Sequence, residues 1–314
     1  DAAVAILQTV VGGGALTYYF TRVRGLTPDW ASLVWIIFGI WNAVNDPLFG
    51  YISDRTKNKL GRRIPYIRYG APIITLSFIF LFLPIGDANA QGLLFAQLLI
   101  GLFLYDTLYT AIATSIYIMP YEMAVSNKAR SSVFVWKIIF MAFSTGLPLV
   151  LLPILQPGPG DDATPFILEM VGLGVLMGLL VFFSTYFYQE KHFQQEEEQY
   201  GFLKSFKESF SNFAFIIFLI SSFTVIYAQT GLMQGVLYYF DELKVPGLPM
   251  YLALAVGIVA GVFFWINRRE PWGVKRCLQI WLAVFALGCF IMLIFGRSVV
   301  PASISFFMIG IGFS

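Results

Sequence analysis

Apolar stretches long enough to cross a bilayer follow one another along almost the whole of this chain. They run through residues 2–21, 31–52, 66–86, 92–120, 131–155, 165–188, 213–240, 248–267 and 276–296, and another begins over 301–314. About 20 residues of α-helix cover roughly 30 Å of hydrocarbon. In lipid a backbone must satisfy its own hydrogen bonds, so each stretch is expected to be a helix. The runs are continuous rather than alternating, which excludes the strands of an outer-membrane barrel. Only 12% of the 314 residues are charged, against roughly 25% in a soluble domain. A soluble enzyme, a secreted disulfide scaffold and a disordered tail are therefore excluded. The chain opens on Asp1 and stops at Ser314 inside an apolar run, so a longer protein is expected.

The charges that remain are placed with a strong bias. Fifteen of the twenty Lys and Arg residues fall in 53–68, 121–130, 189–210 and 268–276. These are alternate connections, and positive charge marks the cytoplasmic side. A multi-pass protein of the cell membrane with its amino terminus in the cytoplasm is expected. Cys277 and Cys289 share one apolar run and His192 stands alone, so neither a metal site nor a disulfide framework is expected.

The longest polar stretch comes after six spans. It divides the chain into a first half (1–188), a cytoplasmic connector (189–210) and the beginning of a second half (211–314). Within the connector, GFLKSFKESF sets aromatic and basic residues at helical spacing, the pattern of an interfacial amphipathic helix. Tyr18-Tyr19-Phe20 near the end of the first span recurs as Tyr238-Tyr239-Phe240 near the end of the seventh. The LGRR before the third span recurs as WGVKR before the ninth. Weak internal symmetry of this kind marks transporters built from two six-helix halves.

The segment from Trp41 to Ile67, WNAVNDPLFGYISDRTKNKLGRRIPYI, is the most specific in the chain. Its Gly50, Asp54, Arg55, Gly61, Arg62 and Arg63 resemble the loop signature of the major facilitator superfamily. A glycine at 50 would allow close helix approach, and Asp54 could face a helix amino terminus or an arginine. With Asn45-Asp46-Pro47, the region is similar to the glycoside–pentoside–hexuronide:cation symporters, the melibiose-permease-like branch. It also resembles the sodium-dependent lysolipid symporters of animals. The resemblance implies an all-α major facilitator fold, and cation-coupled symport of a small polar, sugar-like solute by alternating access. The coupling ion would be a proton or sodium. It also implies a departure, because sodium-coupled members commonly have a carboxylate where this chain has Asn42. The aspartate of the sugar symporters' fourth helix is replaced by Ile112, and an arginine of their cavity by Lys137.

Three charged residues sit inside apolar spans, where charge is costly and marks function by default. Asp46 and Lys137 both fall about 9 Å inside the cytoplasmic ends of their spans, so an ion pair is expected. Asp106 lies about 20 Å from Pro120, among Thr107, Thr110, Thr114 and Ser115. The expected coupling residues are Asp46, Asn42 and Lys137, and the expected substrate cavity holds Asp106, Trp41, Tyr105 and Tyr109. Gly12-Gly13-Gly14 follows no strand, so it reads as close packing or a hinge. Motifs of hydrolases, zinc proteases and phosphate loops are lacking, and the basic clusters are explained by topology, so neither catalysis nor nucleic-acid binding is expected. Two other occupations of the fold stay open: an amphiphile transporter, and a scaffold subunit that no longer transports.

Overall fold

The structure is a computed structural model and describes residues 1–56, 58–87, 89–123, part of 133–158, 160–187, 208, 210–244 and 246–312. In chain order its helices are α1 (Ala2–Gly12), α2 (Ala15–Tyr18) running into one π-helical turn (Tyr19–Val23), α3 (Pro28–Arg55), α4 (Ile64–Phe82), α5 (Gln91–Met123), α6 (Thr164–Ser184), α7 (Phe213–Leu243), α8 (Gly247–Phe295) and α9 (Val299–Ile311). Seven segments among the described residues are long and apolar enough to cross a membrane, and the bent pair at the amino terminus adds an eighth. The expected fifth span, 131–155, is described only in part. The connector 189–210, with its expected amphipathic helix, lies almost wholly outside the described residues.

One expected span is corrected. The first span is not one helix: it bends by 40° between Ala2–Gly12 and Ala15–Val23. Gly14 takes φ +92° at the break, a conformation in which an L side chain is strained. The expected connection over 268–276 stands between two spans, Gly247–Trp265 and Lys275–Phe295. The segment α8 is thus two helices joined at a kink, where Gly273 takes φ 74°. One glycine suffices because only there does the backbone leave the α region.

Helix ends carry their signals in the sequence. Thr27 stands extended before Pro28, which opens α3 with its φ already helical. Asn212 caps α7, its side-chain oxygen accepting from the Ala214 amide at 3.0 Å. The end of α4 is closed from a distance. Arg24 donates to the carbonyls of Leu83, Ile85 and Gly86 at 3.0, 2.6 and 2.9 Å. Gln97 adds bonds to Phe80 and Leu83. These carbonyls have no partners within their own helix. Arg24, on a sparsely charged side, is thus a structural clamp.

The internal repeat reappears as paired roles. Tyr19 packs on Phe82 and Phe166 and donates to the Phe82 carbonyl at the end of α4. Its counterpart Tyr239 packs on Phe306 and donates to the Gly296 carbonyl at the end of α8. Each tyrosine therefore ties the first span of its group to the end of the third.

In the second group, glycine sets how closely helices cross. A Cβ on Gly310 would lie 2.3 Å from the Leu254 carbonyl oxygen, and one on Gly257 would lie 2.2 Å from that of Phe307. Both obstacles are backbone and cannot turn aside. Gly310→Val is expected to separate α8 and α9 and to destabilise the group by about 1–3 kcal/mol or more. The check is thermal unfolding in detergent, where Val at Gly231, which meets nothing within 4 Å, should cost far less.

Candidate functional site

Two long helices place the polar residues of the first group. Helix α3 carries Asn45 and Asp46, and α5 carries Asp106 and Thr110, one turn apart. Asn45, Asp106 and Thr110 are each only 5% exposed, and polar groups buried that far persist only when bonded. Asn45 Nδ2 donates to Asp106 Oδ2 at 3.1 Å and lies 3.2 Å from Thr110 Oγ1. Thr110 in turn donates its hydroxyl to Asp46 Oδ1 at 2.7 Å. One amide and one hydroxyl thus join two carboxylates across the α3–α5 interface. Asp46, unlike the other three, is exposed.

The cluster joins Asp46 and Asp106, which sequence spacing had assigned to different depths and roles. Its two connecting residues were not singled out as site residues. Asn45 was visible only as part of the Asn-Asp-Pro triplet. Thr110 was one of four neighbouring hydroxyls. The structure separates it from them, since Thr107 and Ser115 turn back onto their own helix at Phe103 and Ala111.

Asn42 is half-buried one turn before Asp46 and, among the described residues, makes no hydrogen bond to the cluster. The Trp41 ring stacks on Phe103 at 5.0 Å, with its Nε1 buried. Tyr105 is 1% exposed and packs against Phe78 of α4 and Tyr109. It belongs to the core of the first group rather than to a cavity wall. Tyr109, stacked on it, is half-buried.

The ion pair expected between Asp46 and Lys137 is not formed in this conformation. Lys137 Nζ lies 3.5 Å from the centre of the Tyr117 ring, a cation–π arrangement. Tyr117 is seven residues beyond Thr110 on α5, so the two sites are about 10 Å apart along that helix. Helix α3 continues nine residues past Asp46 to Arg55, about 13 Å along its axis.

The loop signature is only partly accounted for by contact. Gly61 takes φ +108°, a backbone conformation that favours glycine. A Cβ on Gly50 would meet nothing within 4 Å among the described residues. Arg55 lies over the Tyr51 ring at 3.7 Å. Arg63 is 3% exposed at the entrance to α4, whereas Arg62 is exposed. The Asp54 side chain lies outside what the structure describes.

The two groups of helices meet at the end remote from this basic loop. Thr17 donates to Gln234 Oε1 at 3.0 Å, and Thr21 and Tyr238 share a hydrogen bond between their hydroxyls. Arg22 forms ion pairs with Asp241 and Glu242. Gln234 Nε2 donates to the Gly12 carbonyl at 3.1 Å. A cavity of about 230 Å³ lies beside this seam, bounded by Tyr18, Gln156, Leu237, Phe240 and Asp241 among others.

Comparison with known proteins agrees with this architecture. Residues 1–314 match the family described as MFS/sugar transport protein. YagG of Escherichia coli strain K12, named for glycoside/cation symport, is 26% identical over 186 residues, covering 58% of this chain and 39% of that protein. YnaJ of Bacillus subtilis strain 168, an uncharacterized symporter, is 26% identical over 233 residues, covering 72% of this chain and 49% of that one. The chain thus spans half or less of the length of these curated relatives. A crystal structure of a D-xylose–proton symporter superposes on all of the chain and on 79% of its own length, with TM-score 0.65 and 13% identity. That likeness shows the major facilitator fold. The chain is that of a multi-pass integral membrane protein, and it belongs to the MFS/sugar transport protein family.

Proposed function

We propose that the protein is a cation-coupled symporter of a small polar, sugar-like solute, working by alternating access between two halves. The observation that carries this reading is the polar cluster of Asn45, Asp46, Asp106 and Thr110 between α3 and α5. Two carboxylates bridged by an amide and a hydroxyl hold charge that a bound proton or sodium would neutralise. A helix pair that must rearrange when that charge changes can drive the rocking of one bundle against another. The names of the relatives, glycoside/cation symporter and symporter, agree with this chemistry. Asn42, one turn before Asp46, and Lys137, at Tyr117 further along α5, are proposed as secondary coupling residues. Trp41 and Tyr109 are the ring faces proposed to receive the sugar-like solute beside the cluster. The halves are proposed to be 1–188 and 211 onward, joined through 189–210.

The basic loops would face the cytoplasm of the cell membrane, so the seam at Arg22 and Glu242 closes the outer side. The decisive experiment is uptake by proteoliposomes of a panel of glycosides and pentoses, with a pH or a sodium gradient imposed singly. Accumulation that requires one gradient is the expected result. Equal uptake with neither gradient would remove the symport reading.

Topology has its own test. Cysteines placed in 58–62 and at 273 should react with an impermeant maleimide only from the cytoplasmic side, and one at Asn89 only from the outside. Labelling of 58–62 and 273 from opposite sides would break the two-half arrangement.

A further inference from the structure

Across the seam, the two halves meet at positions equivalent in the internal repeat. Tyr18 corresponds to Tyr238 and Arg22 to Glu242, an offset of 220 residues in each case. The Tyr18 and Tyr238 rings meet edge to face at 5.6 Å, and Arg22 pairs with Glu242. The same offset matches Gly14 with Gln234, and a Cβ on Gly14 would lie 3.1 Å from Gln234 Cα. Equivalent residues touching one turn apart along two helices mean that the seam follows the pseudo-twofold axis. Rocking of the halves must therefore open it.

At the inner end of this seam, Gln234 bridges the break in the first span. Its Nε2 donates to the Gly12 carbonyl that ends α1, and its Oε1 accepts from Thr17 in α2. Trp35 Nε1 donates to the same Thr17 oxygen at 2.9 Å. The direction of the chain is fixed, because an indole nitrogen only donates and a carbonyl only accepts. The proton of Thr17 must then point to Gln234. Thr21, one turn further on, instead bonds back to the Thr17 carbonyl at 2.8 Å, the resting choice of a helical threonine.

Trp35 belongs to α3, the helix that carries Asn45 and Asp46, about 15 Å away along its axis. From this we infer that Trp35, Thr17 and Gln234 are positioning residues that tie closure of the seam to the charge state of the carboxylate cluster; the inference rests on the symport reading above. A shift or turn of α3 as the cluster gains or loses a cation moves the indole N–H. A displacement of about 1 Å takes a 2.9 Å hydrogen bond beyond bonding range. Thr17 is then free to fold back on its own helix, and Gln234 loses the partner that holds the break shut.

The test uses the cation alone, so no solute need be known. Cys277 and Cys289 are replaced by serine. Leu237→Cys, buried at 8% exposure beside the seam cavity, then reports opening through its rate of reaction with an impermeant maleimide. That rate is compared between pH values and with or without sodium. In this parent the rate should change with at least one cation. Trp35→Phe keeps a ring against Phe38 but has no N–H, and its labelling should stop responding. Thr17→Val should behave as Trp35→Phe, while Thr17→Ser should respond as the parent does. Gln234→Ala should label about tenfold faster under all conditions, the equivalent of two ordinary hydrogen bonds.

A responsive parent with Trp35→Phe and Thr17→Val responding alike would overturn the inference and leave the symport reading standing. A parent that responds to neither cation would remove both. Loss of response in Thr17→Ser as well as Thr17→Val would mark packing rather than the hydroxyl, and would also overturn it.

Discussion

Asp106→Asn is expected to abolish cation-driven accumulation while leaving the protein folded and able to exchange solute. The amide keeps an oxygen that can accept from Asn45 Nδ2, now at 3.1 Å from Asp106 Oδ2, so the α3–α5 interface stays bonded. What it loses is the charge that a coupling cation would neutralise. Asp46→Asn should give the same phenotype, since its remaining oxygen can still accept from Thr110. A hydrogen bond to a charged group is worth about 1.5–3 kcal/mol, which corresponds to roughly 10- to 100-fold in apparent cation affinity for each carboxylate. Asn45→Leu should be worse. It strands the buried Asp106 without its donor and fills the space with an apolar branch, so loss of folded protein is expected with loss of transport. The measurement is gradient-driven uptake beside solute exchange at equal concentrations on both sides. Full accumulation by Asp106→Asn would show that the cluster is structural.

Much of this architecture was legible in the sequence because membrane helices are specified by length and apolarity alone. Spans two, three, four and six to nine were found by counting, and the repeat emerged from the order of Tyr18-Tyr19-Phe20 and Tyr238-Tyr239-Phe240. The separation of Asp46 from Lys137 was not legible, since span boundaries do not reveal that Lys137 lies over the Tyr117 ring. Nor was the pairing of Asn45 with Asp106, which depends on how α3 and α5 are rotated about their axes. Neither helix has a polar stripe strong enough to fix that rotation. The Gly12–Gly14 break could be read as a hinge, but its partner Gln234 lies 222 residues away in a span with no other mark.

The coupling ion follows from which atoms already point into the cluster. Asn45 turns its NH₂ toward Asp106 Oδ2 and Thr110 Oγ1, and Thr110 spends its proton on Asp46. The space among the oxygens is thus filled by donors. Sodium, like other hard cations, needs several oxygens facing it, and would require the Asn45 amide to turn over and the Thr110 hydroxyl to swing away. A proton needs no coordination shell: it binds one carboxylate oxygen and removes the charge. Uptake driven by an imposed pH gradient, unaffected by sodium and abolished by a protonophore, is therefore the expected behaviour of the natural protein. Asn42→Asp should change this, because residues 42 and 46 lie one turn apart on the same side of α3. The variant would offer a second carboxylate next to the exposed Asp46, outside the donors that fill the Asn45 side. Sodium stimulation of uptake at fixed pH, which the natural protein should lack, is expected from one added charged ligand. If the natural protein is already driven by sodium in the presence of a protonophore, the donor arrangement around Asn45 does not describe its cation-loaded state and the argument for a proton is wrong.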